Sequence, residues 1–137
     1  ALHLEVTHFE SIVLINDGGS FSVRQLPNEA QIAPINAIIP HDLDADGNID
    51  LILAGNNFDT EVETPRYDAG NGLVLRGMGD GSFQPLGITQ SGFYVPGNVK
   101  DLALIKRADG SQLILVANNN AGIEIFEIGK DGLLSMK

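Results

Sequence analysis

Four aspartates and a glycine occur within the nine residues 42–50, which read Asp-Leu-Asp-Ala-Asp-Gly-Asn-Ile-Asp. Carboxylate oxygens are the ligands that a hard cation such as Ca²⁺ prefers, and near-alternating positions in a tight turn direct them towards one point. Gly47 supplies the backbone freedom that such a reversal requires. The sequence predicts a Ca²⁺ site whose ligands are four aspartate side chains and one backbone carbonyl: Asp42, Asp44, Asp46 and Asp50, and Asn48.

Electrostatic repulsion favours a filled site in this loop. Two unit charges about 4 Å apart repel by about 4 kcal/mol at an effective dielectric constant near 20. Without a cation the loop opens or its carboxylates take up protons, whereas with Ca²⁺ the same charges become ligands. The alternative is a solvated acidic turn that binds nothing, but turn chemistry alone does not require four aspartates at ligand spacing.

The loop does not have the features of an EF-hand. An EF-hand loop places a bidentate glutamate at position 12 and lies between two helices. Counted from Asp42, position 12 is Leu53, which cannot bind a cation. The flanking residues 38–40 and 51–54 are short runs rich in aliphatic residues without helical periodicity. We therefore expect the loop to form the tip of a β-hairpin.

The composition indicates a folded, turn-rich chain. Sixteen glycines and six prolines are spread along 137 residues, which predicts many turns and few long helices. The net charge of −10 argues against a nucleic-acid partner and against docking on anionic membranes. No apolar run approaches the roughly 20 residues of a membrane-spanning helix, so we expect no membrane insertion. The absence of cysteine excludes disulfides, thiolate zinc sites and a cysteine nucleophile.

Two local patterns recur along the chain. An apolar strand, a turn rich in Gly and Asp and a return strand occur at residues 12–21, 73–83 and 123–133. The segment 50–57, Asp-Leu-Ile-Leu-Ala-Gly-Asn-Asn, is matched by Gln-Leu-Ile-Leu-Val-Ala-Asn-Asn at 112–119. The corresponding second hairpin offers only Asp101 and Asp109, which cannot form a cage, so we expect a tight turn there in place of a second Ca²⁺ site.

The segments 50–57 and 112–119 are offset by 62 residues, and this repeat period predicts an all-β fold built from β-propeller blades. Four-stranded units repeated at 40–50 or more residues are typical of propellers. We predict a single region, 1–137, with about two and a half blades that are four-stranded antiparallel sheets. The predicted units span approximately 11–70 and 71–122, followed by a partial blade at 123–137.

The motifs resemble those of the FG-GAP or VCBS repeat family. The matching elements are Asp-x-Asp-x-Asp-Gly-x-x-Asp-Leu, the following Gly-Asn and a later Gly-x-Gly-Asp-Gly-x-Phe, all within residues 36–83. Such repeats build the Ca²⁺-binding β-propellers of integrin α subunits and of many bacterial surface proteins, and residues 56–72 are similar to the bacterial branch related to cartilage acidic proteins. The resemblance implies that the aspartate loop joins two strands of one blade and binds one Ca²⁺.

The resemblance also implies that these blades belong to a larger assembly. A propeller of this family has about seven blades, and roughly three repeats are needed before a stack of this kind is stable. We expect the chain to be a fragment of a longer parent chain that packs with its further blades, or to homo-oligomerise. Large exposed apolar faces would otherwise remain on the end blades.

Two functional interpretations follow from the sequence. The first is a non-enzymatic, calcium-stabilised module of an exported protein, extracellular, on a cell surface or periplasmic, that binds a protein or glycan ligand. A multi-carboxylate site suits calcium-rich surroundings, where dissociation constants of about 10⁻⁴–10⁻³ M suffice. The second is an accessory or catalytic domain of a polysaccharide-active enzyme, but no converging acid and base set lies outside the metal loop.

For two further sets of residues, the sequence allows two interpretations each. One acidic set is either a solvated loop with Arg66 as a charge partner or a second ion site: Asp59, Glu61, Glu63 and Asp68. One aromatic set either packs against a neighbouring blade or faces a ligand: Phe58, Tyr67, Phe93 and Tyr94. His41 adjoins Asp42 and is either its orienting partner or an ordinary strand residue.

Overall fold

The computed structural model describes residues 3–137, and these residues form β-strands joined mainly by tight turns. The strands are β1 (Ile12–Asn16), β2 (Phe21–Gln25), β3 (Ile35–His41), β4 (Asp50–Gly55), β5 (Leu73–Gly77), β6 (Phe83–Leu86), β7 (Val99–Lys106), β8 (Gln112–Asn118), β9 (Glu124–Ile128) and β10 (Leu134–Met136). A 3₁₀-helix spans Asn28–Ala30, and the short helix α1 spans Ile88–Ser91. Neither helix has the length and apolar character that crossing a membrane requires.

The strands form three antiparallel sheets. β1 and β2 make a two-stranded hairpin, whereas β3–β6 and β7–β10 each make a four-stranded sheet in which neighbours along the chain are neighbours in space. The all-β class and the antiparallel pairing are confirmed. The three strand–turn–strand patterns read from the sequence form the hairpins β1–β2, β5–β6 and β9–β10.

The sheets divide the chain differently from the predicted units 11–70, 71–122 and 123–137. The boundary at residues 70 and 71 falls inside the first four-stranded sheet, because β5 pairs with β4 as well as with β6. Residues 123–137 hold β9 and β10 of the second four-stranded sheet, and the two-stranded element is the hairpin at 12–25. A repeat period specifies the length of a unit but not the strand on which the unit begins.

The main core lies between the two four-stranded sheets. Because side chains alternate across a strand, one face of each sheet supplies every second residue to this core. The buried side chains of the first sheet are Ala37, Ile39, Ile52, Ala54 and Val74, and those of the second are Val99, Leu102, Ile114, Val116, Phe126 and Leu134.

The connection between the sheets contributes to the same core. Phe93 and Val95, from the segment between α1 and β7, are each only 1% exposed. The Phe93 ring contacts that of Phe126 edge to face, with centroids 5.1 Å apart. Phe93 is therefore a packing residue, whereas Tyr94 beside it and Tyr67 are about half exposed.

A smaller core joins the hairpin to the opposite face of the first sheet. Leu26 and Ala30 are buried there with Leu53 and Leu75, and Val13 of β1 packs against them. The three sheets therefore form three layers in chain order. The outward face of the hairpin layer carries exposed apolar side chains: Ile12, Leu14, Phe21 and Val23.

Candidate metal centre

The aspartate loop lies at the tip of the hairpin formed by β3 and β4. The two strands pair up to His41 and Asp50, and the residues between these two form the turn. Strands lie on both sides of the loop, as predicted, which separates it from an EF-hand. The backbone reverses through two residues in the left-handed region, Ala45 (φ 59°) and Gly47 (φ 89°).

Three of the predicted ligands converge. Asp42, Asp44 and Asp50 each offer a carboxylate oxygen, and these oxygens all lie within 4.8 Å of one another. Asp42 and Asp44 are half-buried, whereas Asp50 is only 2% exposed. Oxygen donors at such separations match what a hard divalent cation takes as ligands, and their mutual repulsion is relieved when a cation binds.

The Asp46 carboxylate is not part of this converging group, and the backbone carbonyl of Asn48 stays a predicted ligand. Asp46 Oδ1 accepts a hydrogen bond from the Asn48 backbone N–H at 2.7 Å, which is a local Asx turn. The backbone N–H of Asp46 in turn donates to Asp42 Oδ1 at 3.1 Å. Asp46 therefore shapes the turn in this structure, while its carboxylate stays outside the group formed by Asp42, Asp44 and Asp50.

Backbone N–H groups contact all three converging carboxylates, and the longest of these hydrogen bonds runs from the Asp46 N–H to Asp44 Oδ1 at 3.3 Å. Asp42 Oδ2 accepts the Gly47 N–H at 3.0 Å. Asp50 accepts the Leu43 N–H through Oδ2 at 2.9 Å and the Gly77 N–H through Oδ1 at 2.8 Å. Asp50 thus ties the loop to the end of β5. Each carboxylate oxygen has two lone pairs, so the three carboxylates keep acceptor capacity for a cation.

Arg76 is a site residue that the sequence did not indicate. Its Nη2 lies 3.2 Å from Asp44 Oδ2, and its side chain is 43% exposed. The pairing of Leu51 with Leu75 places Arg76 beside the start of β4. The guanidinium group offsets part of the negative charge, and a divalent cation would compete with it for Asp44. No signal in the loop itself identifies this partner, because the contact depends on sheet register.

The second four-stranded sheet borders the site. The Gly132 backbone approaches Leu43 O and Asp44 Cβ closely, so that a Cβ atom added at Gly132 would lie 3.0 Å and 3.2 Å from them. A cavity of about 20 Å³ lies between Asp44, Asp50 and Asp131. This volume accommodates about one water molecule or one ion. His41 also faces the second sheet, with Nε2 3.0 Å from Gln112 Oε1, and is not held by Asp42.

In the equivalent turn of the second sheet, the Asp109 carboxylate is hydrogen-bonded to a neighbouring residue of the turn. Asp109 Oδ1 accepts the Ser111 N–H at 2.9 Å and the Ser111 hydroxyl at 2.7 Å. These two hydrogen bonds lower the pKa of Asp109 below its ordinary value of 3.8. Within residues 3–137, the loop at 42–50 holds the one group of three or more His, Cys, Asp or Glu side chains that converges in this way.

The acidic segment that follows β4, residues 59–68, contacts the second four-stranded sheet through one aspartate. Asp59 Oδ2 accepts hydrogen bonds from the side-chain amides of Asn98 and Asn119, both at 3.1 Å, and lies 3.5 Å from Lys100 Nζ. Arg66 instead stacks over the Phe58 ring, 5.1 Å from its centroid. Asp59 therefore anchors the β4–β5 connection to the second sheet.

No protein-family model, curated protein or solved structure matches the chain significantly. The resemblance to the FG-GAP or VCBS repeat therefore rests on the motifs in residues 36–83, and the function is argued from the geometry described above.

Proposed function

We propose that the chain is a calcium-stabilised, non-catalytic module of blade-like β-sheets, of the FG-GAP or VCBS propeller type, within an exported or cell-surface protein. The observation that carries the proposal is the convergence of Asp42, Asp44 and Asp50 at the tip of the β3–β4 hairpin. Calcium is the chemically matched ion, because it binds oxygen ligands in flexible geometry at about 2.3–2.6 Å.

The proposed role of the ion is structural. The converging carboxylates accept backbone N–H groups, and one of them also pairs with Arg76. Carboxylates held in this way suit a structural metal site better than they suit a general acid or base. A bound ion replaces the repulsion among the carboxylates with ligand bonds and couples binding to folding. At a free concentration 100 times the dissociation constant, one such ion stabilises the folded state by about 2.7 kcal/mol.

The layered sheets support the propeller part of the proposal. Two four-stranded antiparallel sheets pack face to face, and a hairpin layer packs on the first of them. The hairpin presents exposed apolar side chains, including Leu14 and Phe21, on its outward face. We propose that further layers cover such faces, from a longer parent chain or from copies of this chain, and that the loops between strands bind a protein or glycan ligand.

The proposal is tested by calorimetric titration with CaCl₂ together with thermal unfolding in EDTA and in excess Ca²⁺. We expect heat of binding and a higher melting temperature in Ca²⁺ for the native chain. Asp44→Asn should remove both. Asp109→Asn, which makes the same charge change in the equivalent turn of the second sheet, is the matched control and should keep both. A native chain that gives neither heat nor a temperature shift would contradict the proposal.

A further inference from the structure

A cavity of about 310 Å³ lies at the end of the first four-stranded sheet opposite the aspartate loop. It is bordered by residues 29–30 and 32–34 before β3, the start of β3, the end of β4, residues 69–73, the end of β6 and the start of α1. Its volume is at the lower end of the range of about 300–1,000 Å³ that small-molecule sites occupy. The cavity does not include any residue of the aspartate loop.

The cavity is a consequence of how β4 and β5 pair. Only residues 51–53 of β4 pair with residues 73–75 of β5, so the two strands separate beyond these positions. β3 continues alongside β4, with Ile35 opposite Gly55. The backbone there is tightly packed, because a Cβ atom added at Gly55 would lie 1.7 Å from Pro34 O. The space between the strands is therefore bounded by fixed backbone.

The lining of the cavity is aliphatic with one charged group. Six large aliphatic residues line it: Ile32, Ile35, Leu53, Leu73, Leu86 and Ile88. Glu29 is the one ionisable side chain among the described lining residues, and it is exposed to solvent. Basic residues are scarce in this half of the chain, since Arg24 is the one Lys or Arg before Arg66. The cavity therefore combines a mainly apolar lining with one acidic residue that is exposed to solvent.

We propose that this cavity binds a small organic cation with an apolar body, such as an alkyl or aryl ammonium compound. The apolar body lies against the aliphatic walls, where its burial removes hydrocarbon surface from water. The ammonium group lies at the carboxylate of Glu29 and remains partly hydrated. An anion of the same shape is repelled by Glu29. A neutral compound gains binding free energy only from burial of its apolar body. This site is independent of the proposed calcium function.

Three probes of similar size and different charge test the proposal: 2-phenylethylammonium, 2-phenylethanol and phenylacetate. The native chain is saturated with CaCl₂, so that the aspartate loop does not attract the cation, and amide chemical shifts are followed by NMR. We expect saturable shifts at cavity residues such as Ile35 and Leu73. The cation should bind about two- to fivefold more tightly than the alcohol, as for a partly exposed ion pair, and the anion should bind least.

Variants separate the charge of Glu29 from the volume of the cavity. Glu29→Gln should remove the preference for the cation and leave binding of the alcohol unchanged, whereas Glu5→Gln, at an exposed glutamate outside the cavity, should change neither. Ala69→Leu, at an exposed lining position, should weaken binding of all three probes by reducing the volume. Asp44→Asn should leave all three affinities as they are in the native chain, which separates this site from the calcium site.

Several results would overturn the proposal. These are the absence of saturable shifts with every probe, equal affinity for the cation and the anion, an unchanged cation preference in Glu29→Gln, or shifts centred on residues 42–50. Saturable shifts at the cavity, with a cation preference that Glu29→Gln removes, would establish it.

Discussion

Asp50 and Asp44 belong to one loop but differ in what satisfies their charge. Asp50 is 2% exposed and accepts two backbone N–H groups, from Leu43 and Gly77. Asp44 is more accessible, pairs with the guanidinium group of Arg76 and accepts one long hydrogen bond, 3.3 Å, from the Asp46 N–H. A buried carboxylate that binds two N–H groups stabilises the loop with or without an ion, whereas the main electrostatic effect of Asp44 depends on which cation lies beside it.

Substitution of these two residues should therefore act differently in EDTA and in Ca²⁺. Asp50→Ala leaves two buried N–H groups unpaired, and each costs about 1–3 kcal/mol, so we expect a large loss of unfolding free energy even in EDTA. Asp44→Asn should change stability little in EDTA and should remove the gain that Ca²⁺ provides. Urea unfolding in both buffers measures this. Equal effects of the two substitutions in EDTA would contradict the assigned roles.

The turn at Asp109 provides a pH test at a single residue. The Ser111 hydroxyl and N–H lower the pKa of Asp109, so this carboxylate stabilises the folded state above pH 3.8 and loses that effect as pH falls through its lower folded value. Ser111→Ala removes the hydroxyl and should raise the pKa of Asp109 towards 3.8. Asp80, which Ser82 holds in the same way, is an internal control whose pKa should not change. NMR titration of the carboxyl carbons measures both.

At the scale of elements, local sequence patterns predict the hairpins but do not predict the register between strands that are distant in sequence. The three hairpins and the position of the aspartate loop follow from strand and turn signals within about ten residues. An aspartate at this spacing can bind a cation or accept a backbone N–H in an Asx turn, and local sequence does not distinguish the two. In the structure Asp46 accepts the Asn48 N–H. The contacts of Arg76 with Asp44 and of Gly77 with Asp50 depend on how β5 aligns with β4, which no local pattern specifies.

Two glycines with the same backbone conformation test how α1 docks on the second sheet. Gly92 (φ 70°) follows α1, and a Cβ atom there would lie 1.9 Å from Leu134 O of β10, whereas Gly110 (φ 87°) has open space around it. Gly110→Ala should cost about 1–2 kcal/mol for the left-handed backbone alone. Gly92→Ala should cost about 1–3 kcal/mol more, because β10 must shift. Equal losses in denaturant unfolding would show that this packing does not constrain the fold.

At the scale of the molecule, one continuous core joins the two four-stranded sheets. Each sheet buries one apolar face against the other, and Phe93 from the connection between them contacts Phe126 of β9. Asp59 and His41 add polar contacts between the same layers. The face that each four-stranded sheet buries in this core is covered by the other sheet, so the two are expected to unfold together.

Phe126→Ala tests this cooperativity. Removing a buried phenylalanine side chain costs about 3–5 kcal/mol. If the sheets form one cooperative unit, native-state hydrogen exchange should show that protection at Ile52 of β4 falls by the same free energy as protection at Ile114 of β8. Ile123→Ala, which removes an exposed apolar side chain before β9, should leave both unchanged. Loss of protection confined to β7–β10 would instead mean that the first sheet and the hairpin are stable alone, and that the aspartate loop does not need the second sheet.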